Sequence, residues 1–140
     1  MDPIIDLIKL QSELLLKKES KAIEEKDVVE ILGRELPPIN LFFEKSSNLS
    51  SIYKVMDCFA ALTKQLVAKE DLAEVKLCFK VAEKILCKGN RTVQNAVENG
   101  YLFSLSSILD TSTPFNTKVK GLLNGKLLTE YKRQTLSNAC

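Results

Sequence analysis

The segment DLAEVKLCFKVAEKILCK, residues 71–88, constrains the fold more than any other part of this chain. Read as a helix at 100° per residue, it places Leu72, Val75, Leu77, Cys78, Phe79, Val81, Ala82, Ile85 and Leu86 around most of its circumference. Lys76, Lys80, Glu83 and Lys84 fall within about 100° of one another. A helix with so narrow a polar strip has to be covered on two sides. It therefore belongs at the centre of a domain, and the rest of the chain must supply the cover.

The flanking sequence reads as further helices. Ile52, Val55, Met56, Phe59, Leu62, Leu66 and Val67 recur at three and four, which predicts an amphipathic helix over about 49–68. A helix follows from Arg91 toward Leu109, with a candidate break at Gly100. Residues 115–123 and 126–135 predict one or two more, parted at Asn124-Gly125. Toward the N-terminus, Asp2 and Pro3 suit the start of a helix from Pro3 to Lys18, striped by Ile4, Leu7, Ile8, Leu14 and Leu15. VVEILGREL reads as a short helix that meets Gly33. LPPINLFFEKSSNLS reads as the main irregular segment, anchored by Leu41, Phe42 and Phe43. Only five glycines and four prolines punctuate 140 residues, and no segment alternates like a strand. The expectation is one all-α domain over 1–140, a helical bundle of five to seven helices around a central αα-hairpin. Within it 1–35 holds the N-terminal helices, 36–48 a Pro-containing loop, 49–136 the core helices and 137–140 a tail.

Composition excludes more functions than it suggests. The chain has no histidine, which rules out histidine-based triads, histidine general bases and histidine metal ligands. None of the four cysteines, Cys58, Cys78, Cys87 and Cys140, forms a C-x-x-C pair. Cys78 and Cys87 fall on opposite faces of one helix and cannot share a metal ion. Cys58 and Cys78 read as small core residues of a reducing compartment, without disulfides among Cys58, Cys78 and Cys87. No metal and no cofactor is expected, since no glycine-rich phosphate loop is present either. The opening MDPIIDLIKLQSELLLKKES lacks the uninterrupted apolar stretch of a signal peptide, and no run is long enough to span a membrane, so a cytoplasmic protein is expected. Net charge is +2. It is unevenly spread: residues 1–35 carry nine acids against six bases, whereas Lys118, Lys120, Lys126, Lys132 and Arg133 face the single acid Glu130 in 111–140. Ser51 and Lys54 match S-x-x-K, but no companion motif accompanies them and they read as the exposed first turn of a helix. Glu24, Glu25 and Asp27 read as a solvated face.

The most informative stretch is CKGNRTVQNAVENGYL, residues 87–102. Gly89 stands where a left-handed glycine would end the central helix, and Asn90 or Thr92 can cap the next. Asn95 and Asn99 stack one turn apart on the following helix, with Glu98 nearby. Asparagine is a poor residue inside a helix, so the pair needs a purpose. Two purposes are open: the amides tether the backbone of the LPPINLFF segment, or they face a groove and grip a partner; otherwise they are simply exposed. A third idea, a DNA-reading helix led by Arg91, Gln94 and Asn95, meets Ile85 where the helix-turn-helix pattern has a small residue and Asn95 where it has an apolar one.

GNRTVQNAVENGYLFSLSSIL is similar to part of an armadillo repeat, over Val75 to Leu109, with Gly100 matching the glycine that ends a helix there. The run Cys78-Phe79, Ala82-Glu83-Lys84, Lys88-Gly89-Asn90, Val93, Asn95-Ala96, Glu98-Asn99 and Ser104 to Ser107 also resembles a family of small, uncharacterised, all-helical bacterial proteins, over roughly 53–135. That resemblance implies a helical fold and no activity. The expected function is a non-catalytic cytoplasmic interaction module, an adaptor or immunity-type inhibitor, that binds another protein through Asn95, Glu98 and Asn99. Nucleic-acid binding through the 91–99 helix and the basic C-terminal segment ranks second, and an enzyme without histidine chemistry third.

Overall fold

The computed structural model describes residues 22–46 and 49–138. The helix expected over Pro3–Lys18 lies outside them. The described residues form seven helices and no strand: α1 (Glu25–Glu35), α2 (Ile39–Lys45), α3 (Ile52–Ala68), α4 (Leu72–Lys88), α5 (91–109), α6 (Pro114–Lys120) and α7 (Gly125–Asn138). The all-α expectation holds, and a single contiguous core joins all of them.

α4 occupies the centre. It packs against α1, α3, α5, α6 and α7. Val75, Cys78, Phe79, Val81, Ala82, Ile85 and Leu86 are all buried, as the apolar circumference requires. Leu77 departs from the expectation: it emerges at the surface, at the edge of the polar strip. Asp71 caps α4, its carboxylate accepting the Glu74 N–H at 3.2 Å. The strip itself is only half solvated. Lys84 pairs with Glu35 of α1 at 3.0 Å. Glu83 turns onto the start of α7, where its two carboxylate oxygens accept the backbone N–H groups of Lys126 and Leu127, each at 2.8 Å. Two orphan donors of a helix N-terminus are thereby satisfied by a side chain more than forty residues away in sequence. Gly125, at φ +58, lets the chain turn tightly beneath that carboxylate.

Two N-terminal expectations need correction. α1 runs through Gly33 to Glu35 rather than ending at the glycine. Val28, Ile31 and Leu32 are buried along it, and this burial outweighs the roughly 1 kcal/mol that an interior glycine costs. The segment read as irregular contains α2. Pro37 and Pro38 do not break this helix but precede it, where a fixed φ and a missing N–H are harmless. Asn40 fastens the joint by donating from Nδ2 to the carbonyls of Pro37 at 3.0 Å and Gly33 at 3.2 Å. Of the three residues expected to anchor this segment, Phe43 is buried and Phe42 half-buried, but Leu41 is 62% exposed.

α3 and α5 cross at the densest part of the core. Arg91–Ala96 leads into a wider π-type turn, Val97–Leu102, and on into Phe103–Leu109 without a break. Gly100 therefore does not end a helix, as the armadillo likeness implied. It is a contact point: a Cβ there would lie 3.2 Å from Cβ of Met56 and 3.4 Å from Cδ1 of Tyr53, so its absence lets the two backbones approach. Inside the crossing, the rings of Phe59 and Tyr101 stack with centroids 4.0 Å apart.

The packing of α4 yields a sharp expectation. Phe79 is buried and Lys80, its neighbour, is exposed. Phe79→Ala should cost about 3–5 kcal/mol through lost burial and the cavity left behind. Lys80→Ala should stay within about 0.5 kcal/mol. Urea midpoints for the two variants check the assigned face, and similar shifts would show it to be wrong.

Candidate partner-binding face

The turn between α4 and α5 is built as a clamp. Ile23, on the chain entering α1, lies beside Gly89; its N–H donates to the Lys88 carbonyl and its carbonyl accepts the Asn90 N–H, both at 2.8 Å. Asn90 then caps α5, its Oδ1 accepting the Val93 N–H at 2.9 Å. Asn90, not Thr92, is thus the capping residue. Gly89 has a different reason from the expected one. Its backbone is extended, φ −72 and ψ 153, so no left-handed conformation selects glycine. A Cβ there would instead fall 2.5 Å from Cγ1 of Val93 and 2.6 Å from the Ile85 carbonyl. Any side chain collides with the first turn of α5. Gly89→Asn, which would suit a left-handed residue, should therefore destabilise as strongly as Gly89→Ala, by about 1–3 kcal/mol, the usual cost of overpacking. Thermal melts of the two variants test this, and a clearly milder Asn variant would restore the left-handed explanation.

The outer side of α5 carries Asn95, half-buried, then Asn99 and Phe103, both exposed. Val93, Ala96, Val97 and Tyr101 all point inward. Among the described residues, neither the Asn95 nor the Asn99 amide makes a hydrogen bond, and α2 with its preceding prolines is tied by Asn40 instead. The tether to the LPPINLFF segment does not form. The two amides remain beside a pair of exposed aromatic rings, Phe103 at 59% and Tyr53 of α3 at 45%, the latter lying against Gly100. The sequence reading missed both rings. Their signal was their offset: Tyr53 falls outside the Ile52, Val55, Met56, Phe59 stripe, and Phe103 outside Leu102, Leu105, Leu109. A large aromatic off the apolar stripe is an exposed one.

Glu98 faces away from that pair, into a cleft of about 160 Å³ between α4, α5 and α7 lined by Leu86, Gln94, Lys126, Thr129 and Glu130. The π-type turn is braced here from α7, as Gln134 donates to the Glu98 carbonyl at 2.7 Å. Burial, together with the neighbouring Glu130 charge, pushes the Glu98 carboxyl above its ordinary range. Glu130 is held below its range by its hydrogen bonds from Arg133, which reaches both of its oxygens. The two acids respond oppositely to pH. The depressed Glu130 adds stability that is complete above the ordinary carboxylate range and is lost as pH falls below that range through its own lowered value. The raised Glu98 favours the folded chain more once it is neutral. Glu130→Gln should cost about 1 kcal/mol at pH 7, discounted because Arg133 is largely solvated, and less at pH 3. Glu98→Gln should be neutral or stabilising at pH 7. Urea titrations at the two pH values check both signs, and a Glu130→Gln loss that grew in acid would overturn the assignment.

The remaining sequence candidates are dispersed. Ser51 precedes α3 and Lys54 lies exposed in its first turn, as expected. Cys58 and Cys78 are buried thiols, and burial pushes Cys78 up to about 11. Cys87 is an exposed thiol that donates to Glu83 at 3.1 Å. Cys140 lies outside the described residues. Among the described residues, no group of three or more Cys, Asp or Glu side chains is placed to hold a metal ion, and no helix is long and apolar enough to cross a membrane.

No curated protein and no solved structure matches the chain. Residues 29–137 match a domain of unknown function, DUF7674, a span from within α1 to the end of α7 that takes in the Gly89–Asn90 turn, the outer face of α5 and the Glu98 cleft. The chain belongs to the DUF7674 family, whose members share a domain without an assigned function.

Proposed function

We propose that this protein is a non-catalytic, cytoplasmic binding module, an adaptor or inhibitor, that recognises another protein through the outer face of α5 and the adjoining Tyr53. One observation carries the reading: Phe103 and Tyr53 are exposed beside two asparagine amides that bond to nothing among the described residues. Aromatic side chains are enriched at protein interfaces, where they contribute area at little entropic cost. Each amide offers donors and an acceptor to a partner's backbone. Both aromatics stand on helices fixed by the Phe59–Tyr101 crossing, so the face is preorganised rather than assembled on binding.

The test separates binding from folding. Phe103→Ala and Asn99→Ala each remove exposed groups and should leave stability within about 0.5 kcal/mol of the parent. Affinity-captured partners from the native host should be lost from the double variant, with at least a tenfold weaker Kd, about 1.4 kcal/mol. They should be retained by Lys80→Ala on the far strip. Undiminished capture by the double variant would remove this face from consideration.

Nucleic-acid reading gains little from the geometry. Of its three intended contacts, Arg91 is exposed, but Gln94 turns into the cleft against α7 and Asn95 is half-buried. Base readout needs such side chains to project together into a groove. A random-sequence DNA selection at about physiological salt should return no motif. A recovered motif that disappears on Asn95→Ala would place nucleic acid first.

A further inference from the structure

We draw no further inference here: the strongest candidate, the cleft between α4, α5 and α7 where Glu98 and Glu130 meet Gln94, Thr129 and Lys126, is a pair of acids whose charge Arg133 and Lys126 already offset, and nothing in the structure shows what would fill it.

Discussion

The stack of Phe59 on Tyr101 is the contact on which this bundle depends. Both rings are fully buried, and they sit where α3 crosses the π-type turn of α5. Burying a tyrosine leaves its hydroxyl to be satisfied, and an orphaned one would cost about 1–3 kcal/mol. Here the hydroxyl lies 2.9 Å from Oγ1 of Thr63, which in turn donates to the Phe59 carbonyl one helical turn back at 3.0 Å. A threonine hydroxyl has one proton to give, so Tyr101 is the donor to it. The relay runs from Tyr101 to Thr63 to the backbone of the residue against which Tyr101 stacks. The ring and its hydrogen bond thus fix the same pair of helices. A wide turn within a helix is poorer than an α-turn on its own, and it persists where packing rewards it. In this chain the reward is an inward Tyr101 and Leu102 with Gly100 against Met56.

A second constraint closes the other side of α4. Glu83 belongs to the polar strip of that helix, and a strip of lysines and glutamates reads naturally as solvated. Its carboxylate instead completes the N-terminus of α7, accepting two of its free N–H groups. Negative charge at a helix N-terminus is favourable, and two direct N–H bonds add to it. α7 is held along its length by further polar contacts. Tyr131 donates to Asp110 at 2.5 Å, and Gln134 donates to the Glu98 carbonyl. Leu127 and Tyr131 supply the apolar side of the same helix. The one narrow polar strip of α4 is therefore where α1 and α7 are locked in place.

The two asparagines of the candidate face were legible in the residues; its aromatic rings were missed, and the tether and Gly89 were misread. Two asparagines one turn apart inside a helix announce a purpose, because asparagine competes with helical hydrogen bonding. The spacing could not say whether they turn inward or outward relative to α2. That depended on Asn40, which ties the α1–α2 joint locally and leaves nothing for α5 to hold. Gly89 shows the same limit. A glycine after a helix suggests a left-handed residue, yet here it is selected by the nearness of Val93 and of the Ile85 carbonyl. Both misreadings concern which groups meet in space, whereas the underlying residue types were rightly singled out.

Periodicity by itself determined that this chain is an all-α bundle with residues 72–88 at its centre, because an apolar circumference cannot face water and has to be covered. Local chemistry narrowed the α5 cap to Asn90 or Thr92, since a cap acts over three residues, and the structure selects Asn90. Tertiary structure alone decided that α5 passes unbroken through Gly100, that two prolines introduce a helix, and that Glu83 caps α7. Each of these turns on a balance between a local preference of about 1 kcal/mol and burial or hydrogen bonding contributed by distant residues. It also decided that Tyr53 of α3 lies against Gly100 of α5, where the missing side chain leaves room for it.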